Sequence, residues 1–319
     1  MTTNELDPVQ EEVVVLTAEE EEMASPSPGT ERSSLTERMR QASKDHHDQS
    51  DKLVNVKLAL VLTSKPLYAE AISLFWPIYA ELETVMTIHK NHPQLGCLYK
   101  FLPLLRRAPL FEKDMAALVG GKDDDDEDGA VNELKRRRIT VDEKGIETYS
   151  PPELQQYVSH LRRLSEEDPL LLLPYIYSMY SAIIAGGAII KRMVKTSFAL
   201  KTDAGVEMFD MSFSSKEDQE QQQQDPTSAV VVVCTNRADF RTAFRRTINE
   251  EMEISESDQV RIVEEAPRVF VRNNALVATA RESDAFRTVW ATFQRCLWMI
   301  LTSVGAVVLA VWMYPRLGT

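Results

Sequence analysis

Residues 175–200 read YIYSMYSAIIAGGAIIKRMVKTSFAL, an apolar stretch that is typical of a buried helix but contains two adjacent glycines. Each glycine inside a helix costs ~1 kcal/mol relative to alanine, so Gly186 and Gly187 need a structural reason. A bend or a close crossing with another helix would supply one. The alternative is that a flat group lies against the backbone where the side chains are missing.

The composition restricts the class of protein. The chain has 319 residues, of which 44% are hydrophobic, and a net charge of −13. That length suits one domain with appendages, or two small domains. The acidic balance argues against nucleic acid as a partner, because phosphate binding needs a basic surface. The three cysteines, Cys97, Cys234 and Cys296, are too few and too scattered for a disulfide framework or a zinc site, which favours a reducing compartment.

The two ends of the chain differ in character. Residues 1–33 are acidic and then rich in Ser and Pro, without the features of a secretory signal, and we expect a disordered leader there. Residues 296–314, CLWMILTSVGAVVLAVWMY, carry no charge, have aromatic residues near both ends, and match the ~20 residues that cross a bilayer. A span so close to the last residue predicts a tail-anchored protein whose body faces the cytosol. A short linker, 282–295, would precede the anchor.

Between these ends the apolar residues recur mostly at helical spacing, which predicts a single all-α domain of seven or eight helices over residues 34–281. An acidic run followed by a basic one, at about 121–147, is typical of a solvated insertion. The low-complexity run EDQEQQQQDP marks a polar linker at about 203–229. The sequence contains no HExxH, GxSxG or Walker motif, so a pocket bounded by helices is the type of site that remains.

Several short motifs follow one another in a characteristic order. They are A-x-K-x-x-H (Ala42, Lys44, His47), RRAPLFEKDM, YSMYSAIIAGG, FRTAFRR and VRNN. This ordered set resembles the haem oxygenases, whose membrane-anchored eukaryotic branch also ends in a C-terminal span. The resemblance covers roughly residues 35–281 plus the tail, and it implies an all-α fold with haem between a proximal helix and a kinked distal helix. The paired glycines would then admit the haem and its bound oxygen to the distal backbone.

The resemblance implies that His47 is the proximal ligand of the haem iron. Asp51, four residues later on the same helical face, matches the family's acidic position and would fix the imidazole tautomer. A bridging water would compensate for Asp being shorter than the family's usual Glu. His46 is the competing ligand, but the spacing from Ala42 and Lys44 favours His47.

The haem propionates would need cations and hydroxyl groups at the mouth of the pocket. Arg40, Arg241 and Arg245 match basic positions that clamp the propionates in the family, and Tyr177 matches a tyrosine with the same role. Without the resemblance, each arginine would be interpreted as an ordinary surface charge.

Three further residues match positions in the family's pocket or distal hydrogen-bond network. They are Tyr79, Phe270 and Asn273. For each of them, packing in the core is an alternative with nearly equal weight.

The distal helix departs from the family pattern. The family carries an aspartate three residues before the first of the paired glycines, where this chain has Ile183, and Ala182 and Met179 replace a glycine and an arginine. In the family that aspartate anchors a water network that supplies protons during oxygen activation, whereas isoleucine can neither hold a water nor relay a proton. One interpretation is a slow haem oxygenase with a loose choice of meso carbon, its network rebuilt around Tyr79, backbone carbonyls and waters. Another is a protein that binds haem without turnover, as a sensor or carrier.

The first of these interpretations is favoured because the ligand, its acidic partner, the cationic clamp and the anchor all survive together. A third hypothesis, from another class, is a tail-anchored helical regulator that binds partner helices, as Bcl-2-like proteins do. It accounts for the anchor and the helical body. It also predicts an NWGR-type stretch, which the sequence lacks, and it leaves the context of His47 unexplained.

The resemblance finally implies a reaction, partners and a location. The reaction is oxidative cleavage of haem to biliverdin, carbon monoxide and ferrous iron, with haem as both substrate and oxygen-activating cofactor. It uses O2 and electrons that come from NADPH through NADPH–cytochrome P450 reductase. The expected location is the endoplasmic reticulum membrane, with the catalytic domain in the cytosol.

Overall fold

The computed structural model describes residues 33–119, 127–211, 234, 236–280 and, near the C-terminus, 291, 292, 294, 295, 298 and 299. Most of these residues are helical, as the sequence predicts. The α-helices, numbered in chain order among the described residues, are α1 Leu35–Val61, α2 Lys65–Ser73, α3 Trp76–Ile88, α4 Leu102–Leu105, α5 Ala108–Val119, α6 Glu127–Arg138, α7 Pro152–Glu167, α8 Leu173–Ser197, α9 Arg237–Arg246 and α10 Glu256–Thr279. Shorter helical segments are Leu95–Phe101, Pro169–Leu172, Glu207–Phe209 and Thr247–Glu251.

Helices α1 and α10 form the most extensive helix pair of the described fold. Two polar side chains in the C-terminal half of α1 reach across to α10. Ser50 Oγ donates to Asn274 Oδ1 at 2.7 Å, and Lys57 Nζ donates to the carbonyl of Val277 at 3.2 Å. These bonds tie the C-terminal half of the helix that carries His47 to α10.

Helix α8 contains the paired glycines and belongs to the core. Pro174 lies in its first turn, where the fixed φ of proline suits a helix start. Tyr175 and Tyr180, in its first half, are fully buried, and the helix packs against α10 as α1 does. Helix α10 therefore connects the helix that carries His47 to the helix that carries the glycines.

The charged run at 121–147 is more structured than a solvated insertion. Its described part forms α6 and a two-stranded antiparallel hairpin, β1 Ile139–Val141 and β2 Glu147–Tyr149. Val131 and Leu134 of α6 are buried, and α6 packs against α2 and α5. Two apolar residues three positions apart are enough to pack this helix against the core. Because charged residues surround them, the sequence does not show a clear helical hydrophobic pattern. The fold is thus mostly helical rather than purely all-α.

Several predicted segments lie wholly or mostly outside the described residues. These are the leader at 1–33, the linkers at 203–229 and 282–295, and the predicted anchor at 296–314. In the described part of the chain, one helical stretch, Pro169–Ser197, is long and apolar enough to cross a membrane. Its most apolar part is 61% buried inside the protein, as expected for a core helix.

Candidate functional site

His47 lies on α1 with 47% of its side chain exposed. Its Nδ1 lies 3.3 Å from Asp51 Oδ2, one turn further along, and 4.0 Å from Asp48 Oδ1. The ring also meets Phe270 of α10 in a T-shaped contact, with the ring centroids 5.4 Å apart. A carboxylate beside Nδ1 fixes the tautomer and leaves Nε2 as the nitrogen that can bind a metal. Asp51 reaches the ring directly, so the shorter side chain does not need the bridging water expected from the sequence.

The neighbouring His46 lacks this arrangement. It is half-buried, and among the residues that the structure describes no carboxylate lies at ion-pair distance from its ring. An imidazole without a fixed acceptor on one nitrogen is a poorly oriented ligand. The geometry therefore favours His47 over His46.

Arg40 and Arg245 bring positive charge to the first turns of α1. Arg40 makes two hydrogen bonds to Glu37, with Nε–Oε2 and Nη2–Oε1 distances of 2.9 and 2.8 Å. The hydrogen bond from Arg40 lowers the pKa of Glu37, and the charge of Arg245, which lies on α9, adds to this effect. One carboxylate of the protein therefore already lies near two of the three arginines that were predicted to hold propionates.

The remaining two residues of the predicted propionate clamp lie in the same region. Tyr177, near the start of α8, stacks on Phe244 of α9 with the ring centroids 6.4 Å apart. Arg241 and Arg245 are half-buried and lie one turn apart on α9, with Phe244 between them in sequence. The four predicted clamp residues therefore come from α1, α8 and α9, which approach one another here.

The paired glycines of α8 face different surroundings. A Cβ built on Gly186 would meet no atom within 4 Å, whereas one on Gly187 would lie 3.2 Å from Phe209 Cδ1. Ala182, one turn before Gly186, is exposed, so α8 presents an open strip of small residues. Ile183 is 6% exposed, which means that its side chain packs into the protein.

These residues fit a haem group. The described part of the chain contains no cluster of three or more His, Cys, Asp or Glu residues that could hold a bare metal ion. A single oriented imidazole such as His47 suits a metal that brings its other ligands with it. Cations at one end and helix backbone without side chains at Gly186 suit a flat, dianionic ligand.

Comparison with known proteins gives the same answer. A protein-family model described as Heme oxygenase matches residues 33–143 and 142–279. The chain belongs to the haem oxygenase family. Heme oxygenase 1 of Nostoc is 24% identical over 242 residues, which cover 76% of this chain and 83% of that protein. Heme oxygenase 2 of Rattus norvegicus is 23% identical, covering 81% of this chain and 69% of the rat protein.

Solved haem oxygenase structures share the fold. Heme oxygenase-1 of the cyanobacterium Synechocystis, crystallised in complex with heme, aligns with a TM-score of 0.62 at 20% identity, covering 84% of this chain and all of that one. Heme oxygenase 2 of Chlamydomonas reinhardtii, crystallised without heme, aligns with a TM-score of 0.60 at 24% identity, covering 77% and 97%. The helical scaffold of the family is therefore present in this chain.

Tyr79 and Asn273, which the sequence resemblance predicts to lie in the pocket or the distal network, both contact Met179. Tyr79 Oη donates to the carbonyl of Met179 at 3.0 Å, and its ring stacks on Phe111 with the centroids 5.1 Å apart. Burial raises the pKa of Tyr79 far above neutrality, so the phenol remains a hydrogen-bond donor. Asn273 Nδ2 lies 3.4 Å from Met179 Sδ, and Asn273 Oδ1 is buried without a partner. A buried acceptor of this kind is a place for a water molecule to bind.

Three residues around the site were not singled out from the sequence. Glu37 lies between the clamp arginines, and Phe209 and Arg237 pack behind Gly187. The i,i+3 spacing of Glu37 and Arg40 could have indicated their pairing. For Phe209 and Arg237 the sequence carries no local signal, because their contacts with α8 join residues far apart in the chain.

Proposed function

We propose that this member of the haem oxygenase family cleaves haem to biliverdin, carbon monoxide and ferrous iron, using O2 and externally supplied electrons. The observation that carries the proposal is the combination of His47, oriented by Asp51 at 3.3 Å, with a distal helix that is open at Gly186. A histidine with no ligand to bind would not account for a second helix that has open space at Gly186. Membership of the family supplies the reaction class.

Each residue of the site has a defined task in this proposal. His47 Nε2 would ligate the iron, and Asp51 would hold the ring in the required tautomer. Arg40, Arg241 and Arg245 would pair with the propionates and set the orientation of the macrocycle. The bound haem supplies the oxygen-activating chemistry, while the protein supplies the ligand, the orientation and the protons.

We propose that turnover is slow and that the choice of meso carbon is loose, because Ile183 is apolar and buried where the family has an aspartate. Proton delivery would instead depend on neighbouring groups, namely the hydroxyl of Tyr79 and the unpartnered Oδ1 of Asn273. These groups can order water molecules, but neither is an acid at neutral pH. The same buried Ile183 favours the second candidate function, a haem-binding sensor or carrier without turnover.

Incubation of the purified protein with haem, a cytochrome P450 reductase and NADPH, followed by chromatography of the pigment, tests the proposal. A mixture of biliverdin isomers supports slow, loosely directed cleavage. Haem that remains bound and unchanged supports the sensor or carrier. A protein that shows no Soret band after incubation with haem contradicts both, and leaves the helical regulator as the explanation.

We also propose that residues 296–314 anchor the protein in the endoplasmic reticulum membrane with its body in the cytosol, where an NADPH-dependent reductase supplies the electrons. The support is the uncharged, aromatic-flanked sequence of this segment. Alkaline carbonate extraction of cells that produce the full chain should leave the protein in the membrane pellet, and truncation after Arg295 should release it. Release of the full chain by carbonate would contradict the anchor without affecting the haem chemistry.

A further inference from the structure

We propose that Arg237 is a positioning residue that holds the glycine-containing turn of α8 in place from its Gly187 side. The proposal rests on the function proposed above for His47 and α8. It assigns to the first residue of α9 a role in setting how closely the distal backbone approaches the haem. No local sequence motif singles out this residue.

The guanidinium group of Arg237 binds three backbone carbonyls. Nη1 donates to the carbonyls of Ile183 and Ile184 at 3.4 and 3.3 Å, and Nη2 donates to the carbonyl of Phe209 at 2.6 Å. In an α-helix the carbonyls of residues 183 and 184 also face the amides of residues 187 and 188, four positions later. Arg237 therefore supplements the helical hydrogen bonds of the turn that contains the paired glycines.

The contacts of the two glycines show which side of the helix Arg237 occupies. A Cβ on Gly187 would lie 3.2 Å from Phe209 Cδ1 and 3.6 Å from Arg237 Nη1, whereas a Cβ on Gly186 would meet nothing within 4 Å. Arg237 and Phe209 thus pack behind the helix, on the Gly187 side. The Gly186 side is where the proposed function places the haem.

This turn needs external support because its sequence is a weak helix former. Two glycines cost ~1 kcal/mol each relative to alanine, and the flanking alanines contribute little side-chain packing. A charged donor that binds two carbonyls of the same turn offsets part of that loss. Without this support the hydrogen bonds of the turn would open more often, and its distance from the bound haem would vary.

Arg237 is itself held firmly at the start of α9. The preceding residue, Asn236, caps the helix by accepting a hydrogen bond from the Asp239 amide at 2.9 Å. The same helix carries Arg241 and Arg245 one and two turns later. Helix α9 therefore contacts the backbone of the distal helix at one end and supplies the predicted propionate clamp at the other.

Amide hydrogen exchange on the haem-free full chain provides the first test. In Arg237→Met, exchange at Gly187 and Ala188 should be faster by about tenfold or more, because the supporting hydrogen bonds are gone. Arg237→Lys should fall between this variant and the wild type, because one ammonium group cannot bind all three carbonyls in the same geometry. Arg246→Met is the matched control, since Arg246 lies on the same helix but is exposed, and its ion pair among the described residues is with Glu250, four positions later, at 3.1 Å.

The second test uses the haem complex. The ferric spin-state ratio, and the isomer distribution of any biliverdin formed, should shift in Arg237→Met and remain unchanged in Arg246→Met. Exchange rates and spectra in Arg237→Met that equal those of the control would overturn the proposal. Because the exchange measurement needs no haem, it separates failure of this inference from failure of the proposed function. If Arg237→Met does not fold, the exchange rates of Arg237→Lys replace it as the test: rates above those of the wild type support the proposal, and rates equal to the wild type overturn it.

Discussion

The proximal and distal faces of the candidate haem site, carried by α1 and α8, are built in opposite ways. On the proximal face, α1 presents polar side chains, and His47 is oriented by Asp51 on the same helix at 3.3 Å. On the distal face, α8 presents backbone and small residues, and the groups that hold it, Arg237 and Phe209, come from elsewhere in the chain. One face is defined by the side chains that are present, and the other by those that are absent.

This difference predicts how substitutions on each face should impair haem binding. A proximal side chain carries its function directly, so its removal should abolish one interaction and leave the fold intact. The distal face works through the position of a backbone segment, so its function should depend on bulk at Gly186 and on support behind Gly187. Substitutions on the two faces should therefore change different measured properties.

The largest effect is expected from His47→Ala. Removal of the imidazole should abolish or greatly alter the five-coordinate haem spectrum, because no other ligand is oriented by a carboxylate at this position on α1. Absorption spectroscopy of the haem complex is the measurement. His46→Ala is the matched control and should leave the spectrum nearly intact. The opposite pattern would reverse the ligand assignment.

The second-largest effect is expected from adding a side chain on the distal face. Gly186→Leu should lower haem affinity by about 100-fold or more, because a side chain would occupy space that the flat ligand needs. It should not lower the melting temperature, since the added Cβ meets no protein atom within 4 Å and leucine favours helix. Haem titration and thermal unfolding measure the two effects.

Gly187→Ala provides the contrasting variant. Its added methyl group would press on Phe209 at 3.2 Å, so it should reduce stability more than it reduces haem affinity. Equal effects of the two glycine variants on haem affinity would show that α8 does not present one open and one packed side.

An intermediate effect is expected from Ile183→Asp. The carboxylate should raise the yield of biliverdin, because it restores a group that can hold water near the distal backbone. The cost should be a loss of stability of about 1–3 kcal/mol, because a polar group replaces a buried apolar one. Ile184→Asp is the matched control, since Ile183 and Ile184 are both 6% exposed. An unchanged biliverdin yield in Ile183→Asp would refute the view that Ile183 limits turnover.

The prediction with the smallest expected effect on haem binding concerns pH. Burial raises the pKa of Asp114 to about 7. The carboxylate accepts hydrogen bonds from the amides of Met208 and Glu207 at 2.8 and 2.7 Å, and these bonds lower the pKa in part. Because the folded pKa exceeds the unfolded value, the folded state binds the proton more tightly. The stabilising contribution is therefore complete below about pH 4 and is lost as pH rises towards 7.

Asp114 holds the turn that places Phe209 behind Gly187, so its titration should weaken the support of the distal face. Urea unfolding between pH 4.5 and 8 should show a steeper loss of stability in the wild type than in Asp114→Asn, by at most about 1.4 kcal/mol per pH unit. Parallel pH profiles for the two proteins would show that Asp114 does not titrate in this range.

The parts of the molecule that sequence reasoning located share one property, which is that their pattern is local. The i,i+4 spacing predicts that His47 and Asp51 share one face of a helix, and the continuous apolar run predicts α8, whereas the roles of His47 and Asp51 come from the resemblance to the family. Arg237 contacts carbonyls more than 50 residues earlier in the chain, and this contact depends on how α9 is placed beside α8. The hairpin Ile139–Tyr149 was missed for another reason, because each of its strands is only three residues long and too short to show alternation.

The carboxylate of Glu37 affects how the binding of a dianionic ligand such as haem should depend on ionic strength. Before any ligand arrives, this carboxylate already binds Arg40 and lies in the field of Arg245. Entry of a propionate at this end would therefore exchange one anion for another instead of neutralising bare positive charge. Such an exchange releases fewer mobile counterions than the number of arginines suggests, so haem uptake should vary only weakly with ionic strength.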